Sequence, residues 1–288
     1  MTTLKDAQVT LVGLGLMGGS LAMRLKRDGT CRQIVALVRR GEAAHEAEEL
    51  GVVDWATTEP GPALADADLV IFATPVRILM RQLERLRPLF KTGAIITDLG
   101  STKRQIMSVF GGLGPGLYPI GSHPMCGKEI AGLSAAEPGL YENATWVVSP
   151  LAGTPPGVID LIEQLARSVG ARPLQLEADR HDRLVAAISH LPYLLSSALV
   201  LAAQTVAGED ERVWQVAASG FKDTSRLAGS NVEMMMDILL TNQDAVGLMV
   251  EQLRRQLDVL TAAIDDGNEA DLRLLLERAR TQRRLLYI

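Results

Sequence analysis

Six residues near the N-terminus, Gly13-Leu14-Gly15-Leu16-Met17-Gly18, do most to limit what this chain can fold into. They follow an apolar, β-rich run, Val9–Val12, and open a helical one, Gly18–Arg27. In a strand–turn–helix unit, Gly13 permits the tight turn, Gly15 lets backbone approach a pyrophosphate and Gly18 lets helix pack closely on strand. The helix N-terminus then offers amide donors to the phosphates. Glycines serving the fold alone read the same way in isolation, so the rest of the chain has to decide.

It alternates. Further strands are expected at Ile34–Val38, Leu69–Ala73, Ala94–Asp98 and Thr145–Ser149, with helices at Ala43–Leu50, Arg77–Leu86 and Lys103–Phe110 between them. Pro155–Val169 and Arg172–Leu176 add a closing helix and strand. Such alternation predicts an α/β fold of the Rossmann type, a doubly wound parallel sheet covered on both faces, and with it a dinucleotide site at Gly13–Gly18. Thr74 and Pro75, which follow the strand Leu69–Ala73, join Leu14, Leu16 and Met17 in the expected cofactor set.

After about Leu176 the strands stop, and the division expected is 1–177 for nucleotide binding and 178–288 for a helical, substrate-binding and dimerising part. Asp179 and Asp182 are placed as a capping pair for a long helix through Val206, which Pro192 should kink or split. Val246, Met249, Leu253, Leu257, Leu260 and Ile264 recur at the steps of a helix–helix seam. Asp265–Asn268 break that helix, and Glu269–Leu286 forms another. So much apolar helix surface predicts a homodimer through the C-terminal helices.

The 288 residues carry a formal net charge of −5, which gives no electrostatic reason to expect nucleic acid or an anionic membrane. Two cysteines, Cys31 and Cys126, are too few for a disulfide framework or a zinc site, so no metal is expected and a reducing cytoplasm fits. Met1–Gln8 has none of the marks of a signal peptide. Leu184–Gly208 is free of Asp, Glu, Lys and Arg and long enough to span a bilayer. It also carries His190, Pro192, Ser196, Ser197, Gln204 and Thr205, which favours a helix buried in protein, or between subunits, over a membrane span.

The choice of nucleotide turns on the end of the second strand. An NAD site usually sets a carboxylate about twenty residues beyond the glycines, on the ribose hydroxyls. Here Val38 is followed by Arg39 and Arg40, and paired guanidinium groups suit a 2′-phosphate. NADP is therefore expected, with NAD as the alternative and two solvated arginines as the bland reading.

Chemistry centres on Ser122-His123-Pro124-Met125-Cys126-Gly127-Lys128-Glu129, expected as a loop of small residues that aims His123 rigidly. An imidazole with an ordinary pKa near ~6.5 suits proton abstraction from a hydroxyl. Ser101, in Asp98-Leu99-Gly100-Ser101-Thr102-Lys103, either bonds to that imidazole and the nicotinamide neighbourhood or caps the following helix. A Cys126 thiol nucleophile has no accompanying oxyanion signature. His190, on the uncharged helix, must find a partner or face a cavity; His181, nine residues earlier, is expected nearly opposite as a helix-start residue. Arg226, in Gly220-Phe221-Lys222-Asp223-Thr224-Ser225-Arg226, either grips a substrate carboxylate or pairs with Asp223. Met234-Met235-Met236 is expected in the core.

Taken together and in order, GLGLMGGS, TDLGSTK, SHPMCGKE, HDRLVAAISHLP and GFKDTSRLAGS resemble the prephenate/arogenate dehydrogenase family of tyrosine biosynthesis, and they cover nearly the whole chain. The last two segments look most like the arogenate-using, NADP-dependent branch. The resemblance implies a dinucleotide domain followed by a helical dimerisation domain, and oxidative decarboxylation of an anionic cyclohexadiene, arogenate or prephenate or both. On it, His123 matches the catalytic histidine and Ser101 the serine that orients histidine and nicotinamide. Arg226 matches the carboxylate-binding arginine, and His190 a second pocket histidine. Lys128 departs from the small or hydroxyl residue often found there, so it pairs either with the substrate's side-chain carboxylate or with Glu129. No appended regulatory module is expected.

Two rivals are weighed. A dehydrogenase of 3-hydroxy acids would need a catalytic lysine after the domain junction, and there is none between Lys128 and Lys222. A non-enzymatic NADP-sensing protein would have no need of His123, Ser101 and Arg226 together.

Overall fold

The computed structural model describes residues 2–286 except 129 and 131. The chain divides into two compact units, Met1–Asn242 and Gln243–Ile288.

In the first unit the strands are β1 (Gln8–Val12), β2 (Gln33–Leu37), β3 (Trp55–Thr57), β4 (Leu69–Phe72), β5 (Ile95–Asp98), β6 (Tyr118–Pro124), β7 (Thr145–Pro150) and β8 (Arg172–Gln175). They form one sheet in the order β3-β2-β1-β4-β5-β6-β7-β8. The pairs from β3 through β6 are parallel, β7 runs antiparallel to β6, and β8 parallels β7. The helices are α1 (Leu16–Asp28), α2 (Gly41–Glu49), α3 (Pro60–Leu64), α4 (Val76–Leu86), α5 (Arg104–Gly111) and α6 (Pro156–Ser168). β1 and β4 are buried along their whole length, as strands covered on both faces must be. Two apolar clusters cover the two faces, one holding Leu21, Leu25, Tyr141 and Trp146, the other Leu79, Leu83, Ile106 and Phe110.

The expected alternation is present, with three additions, one of them the short helix α3. The three-residue β3 extends the sheet, and of the stretch expected as a loop around His123, residues 122–124 are the end of β6 while residues 125–128 are not strand. In β6, Pro119, Gly121 and Pro124 are poor strand formers. Tertiary contacts make it a strand nonetheless: a Cβ at Gly121 would lie 2.5 Å from Met107 Sδ, so glycine lets β6 lie close to α5 without displacing that side chain. Its antiparallel partner β7 pairs across Ile120–Pro124.

Beyond β8 the unit is helical: α7 (Ala178–Val185), a π-turn at Ala186–His190, α8 (Leu191–Ala207), α9 (Ser219–Ser225), a 3-10 turn at Arg226–Gly229 and α10 (Val232–Thr241). Pro192 explains the π-turn. It has no N–H for the Ile188 carbonyl and its ring crowds that group, so the turn widens and the helix continues without a break. The N-cap of α7 is Glu177, and neither Asp179 nor Asp182 serves as the expected cap. Of the methionine run, Met235 is buried, whereas Met234 and Met236 are over 40% exposed.

The second unit is the helix pair α11 (Gln243–Asp265) and α12 (Glu269–Leu285), joined at Gly267 with φ +61°. Leu257 and Ile264, on the expected seam, are 47% and 61% exposed.

Candidate active site

Because β1, β4, β5 and β6 are parallel, their carboxyl ends share one edge of the sheet, and the turns that leave them form a single mouth. At β1 the backbone itself builds the surface. Gly13 has φ +97°, and a Cβ there would stand 2.6 Å from Thr74 Cγ2. A Cβ on Gly18 would stand 2.4 Å from the Gly13 carbonyl oxygen and 3.0 Å from Ala73 Cβ. Gly15, the N-cap of α1, has no atom within 4 Å in that direction. Two glycines thus allow close packing, and the third faces open space beside the amides of a 13-residue helix. Leu14, Leu16 and Met17 are half-buried, and the Met17 carbonyl accepts from the Tyr141 hydroxyl at 2.6 Å. Thr74 donates to Gln82 Oε1 at 2.8 Å, and Pro75 caps α4. Arg39 and Arg40 are exposed just beyond β2. These residues fit a dinucleotide.

At β5 and β6 the mouth is built from buried side chains. Asp98 and Lys103 form a fully buried ion pair. Asp98 also accepts from the amides of Gly100 at 2.8 Å and Ser122 at 3.0 Å, while Ser122 Oγ donates to the Asp98 carbonyl. Burial pushes Asp98 up and Lys103 down, and their mutual attraction opposes both shifts. Removing either partner alone would strand a buried charge, at a cost of about 3–5 kcal/mol. These bonds fasten β6 to β5 just where their ladder ends, and the next residue is His123.

His123 Nδ1 lies 2.8 Å from His181 Nε2, the rings meeting edge to face at 5.1 Å. His181 Nδ1 in turn lies 2.8 Å from Asp182 Oδ1. Asp182 also accepts from the amides of Lys103 at 2.7 Å and Arg104 at 2.9 Å, so a carboxylate on α7 caps α5. On its other side, Asn242 Nδ2 donates to the Asp182 carbonyl at 2.8 Å and to His190 Nδ1 at 3.2 Å. Burial, then His181, Lys103 and His190, hold His123 well below the usual imidazole range. Burial lowers His190 to about 4. For Asp182, burial acts upward, but the hydrogen bonds from His181, Arg104 and Lys103 outweigh it and keep the carboxyl below its usual range.

Several expectations change here. His181 is no passive helix-start residue; at 0% exposure it is the partner of His123. His190, expected on the pocket wall, is 1% exposed and bonded to Asn242. The α5 N-cap is Lys103 rather than Ser101, and the Ser101 side chain makes no hydrogen bond among the described residues. Lys128 pairs with Glu137 at 2.7 Å, and Glu129 lies outside the described residues. Cys126 has its thiol pushed up to about 11 by burial, which disarms it as a nucleophile. Arg226 is exposed at the start of the 3-10 turn after α9, a segment tethered by Ser196 Oγ donating to the Thr224 carbonyl at 2.6 Å. Lys103 and Asn242 went unsingled in the sequence, and His181 and Asp182 were read only as helix-start and capping residues. The one available signal was the adjacency of His181 and Asp182 nine residues before the His190–Pro192 stretch.

A family model described as prephenate dehydrogenase, nucleotide-binding domain, matches residues 21–175, and one described as prephenate dehydrogenase, dimerization domain, matches residues 177–278. The chain belongs to the prephenate dehydrogenase family. It is 30% identical over 274 residues to the prephenate dehydrogenase of Bacillus subtilis, covering 94% of this chain and 74% of that one. Among solved structures it is similar to Aquifex aeolicus prephenate dehydrogenase in complex with hydroxyphenyl propionate and NAD+ (TM-score 0.92, 28% identity, 99% and 100% of the two chains). It is likewise similar to Synechocystis arogenate dehydrogenase (TM-score 0.85, 32% identity, 97% and 99%). As a member of the prephenate dehydrogenase family this protein is an NAD(P)-dependent oxidoreductase.

Proposed function

We propose that the chain oxidatively decarboxylates arogenate, prephenate or both in tyrosine biosynthesis, with His123 as the base and NADP as the preferred acceptor. The observation that carries this reading is the orientation of His123. Its Nδ1 is taken up by His181, and its surroundings keep the ring uncharged, so Nε2 remains the atom available to receive a proton.

The bound NAD(P) supplies an acceptor for the hydride. His123 takes the proton of the ring hydroxyl, whose O–H electrons become the new C=O bond as the C–H pair leaves the same carbon. The bond to the departing carboxylate then breaks, releasing carbon dioxide, and its electrons make the ring an aromatic phenolate. The phenolate oxygen takes back the proton held by His123 to give the phenol. Aromatisation drives the reaction, so the protein's work is to position the substrate and remove one proton. Arg226 binds a substrate carboxylate. If that is the departing one, tighter gripping cannot speed the chemistry, because the charge disappears. Ser101 orients His123 and the nicotinamide end, and Lys128 exchanges Glu137 for the substrate. His190 acts from behind, as a buried neighbour of the histidine pair. Gly13–Gly18, Thr74 and Pro75 hold the pyrophosphate side, and Arg39 and Arg40 the 2′-phosphate.

The functional boundary is placed at residue 177, in line with the matched ranges 21–175 and 177–278. The working form is a cytoplasmic homodimer. The run Ala178–Ala207 is long and apolar enough to cross a membrane, with 22% of its apolar window buried. The exposed Leu195, Leu201 and Val206 of α8 fit a second copy, a reading supported by their place within residues 177–278, matched by a family model described as a dimerization domain. Steady-state rates with arogenate and prephenate, each against NADP and NAD, test the reading. Highest kcat/KM for a cyclohexadiene with NADP is expected; no turnover of either substrate would overturn it.

A further inference from the structure

We infer that Asp182 and His181 are positioning residues that lock His123 in the tautomer whose Nε2 carries the free lone pair. This rests on the reading of His123 as the base and extends it to two residues that touch neither substrate nor cofactor.

The inference follows from counting hydrogens along the chain of contacts. An ionised carboxylate can only accept, so at 2.8 Å from Asp182 Oδ1 the His181 Nδ1 must carry a hydrogen. Taken as the neutral ring, His181 has one N–H, which leaves its Nε2 as an acceptor. The atom 2.8 Å from it, His123 Nδ1, must then donate, and His123 Nε2 is left unprotonated. One acceptor-only group at the far end thus sets the proton position on a ring two hydrogen bonds away. Asp182 cannot turn to escape the role. The Lys103 amide shares Oδ1, the Arg104 amide binds Oδ2, and the residue is 2% exposed. His181 is fully buried between the two partners.

The same arrangement serves the charged state. When His123 accepts a proton, its Nδ1–H stays directed at His181, whose own N–H faces the carboxylate, so the new positive charge is met by a fixed negative one. The bonds that hold the Asp182 carboxyl below its usual range keep the proton from travelling the whole way. The logic matches that of a serine-protease triad, where an amide in place of the carboxylate keeps the geometry and reverses the tautomer.

Asp182→Asn reproduces that exchange here. Its amide oxygen in the Oδ2 position can still accept from the Arg104 amide. Its NH2 in the Oδ1 position gives up the Lys103 amide, donates to His181 Nδ1, reverses each bond and puts hydrogen on His123 Nε2. The expected result is a kcat at least about 100-fold lower, with KM changed by less than about threefold and the folded state retained by circular dichroism. His181→Leu leaves the Asp182 cap on α5 in place and should lower kcat similarly, which a purely capping role would not do. Imidazole 15N spectra of the wild-type enzyme need no variant to fold: His123 should show its pyridine-type nitrogen at Nε2, moving to Nδ1 in Asp182→Asn. A wild-type ring protonated at Nε2, or unchanged kcat in both variants, would overturn the inference while leaving the base reading intact. Retained activity in His123→Asn would instead remove the base reading, whatever the tautomer.

Discussion

The mouth of this protein has two halves built on opposite plans. Around Gly13–Gly18 the surface is bare backbone, shaped by the absence of side chains and by one positive φ. Around His123 it is a stack of buried polar side chains drawn from β5, β6, α5, α7, the π-turn and Asn242. The first half therefore fails by steric intrusion, and the second by a lost or reversed hydrogen bond. On the proposed function, one holds a ligand that brings its own chemistry, for which close approach is enough, and the other governs a single proton, which requires a fixed chain of donors and acceptors.

Substitutions at the two halves should separate accordingly. The largest effect is expected at His123→Asn, with kcat falling about 10²- to 10⁴-fold while KM changes little. Arg226→Ala, away from the proton, should mainly raise KM; the opposite pattern in steady-state kinetics would dissolve the division of roles.

Next is a pH effect confined to the histidine half. His190 is lowered to about 4 in the folded protein, against ~6.5 in an unfolded chain. Above pH ~6.5 neither state binds this proton. As pH falls toward 4 only the unfolded state takes it up, so stability present at neutral pH is lost on acidification, by about 3 kcal/mol for this one group. Urea unfolding at several pH values should show the acid slope reduced in His190→Asn; parallel curves would remove His190 from the cause.

The glycine half gives a smaller, sterically driven loss. Gly18→Ala would press a methyl group onto the Gly13 carbonyl, costing about 1–3 kcal/mol in thermal unfolding and weakening nucleotide binding. Unchanged Tm and Kd would mean that the turn yields more easily than its contacts imply. The smallest effect should come from Arg39→Ala. Loss of one phosphate partner is worth about 1–2 kcal/mol, roughly a tenfold drop in kcat/KM with NADP and little change with NAD. Equal efficiency of both cofactors in the wild type would remove the case for NADP.

The order of strands and helices was readable because each βα unit carries its own periodicity. Among the exceptions, β6 reads poorly as a strand, since Pro119, Gly121 and Pro124 suit close packing and anchoring better than extended propensity. Asp182 and His181 misled for the complementary reason. An aspartate near a helix start reads as that helix's cap, and nothing local shows that its carboxylate caps a helix 78 residues earlier.

What the sequence determined alone was therefore local: the glycine turn, the alternation that makes a parallel sheet, the arginines in place of a carboxylate after β2, and the motifs that mark the family. What only the tertiary structure decided was the state of His123. On the proposed reading that depends on burial, on partners 58 and 59 residues away, and on a donor count that closes only when His181, Asp182 and the amides of Lys103 and Arg104 are folded together. Periodicity and turn chemistry act between neighbours in the chain. The placement of one proton depends on the field and hydrogen bonds of whatever the fold brings near.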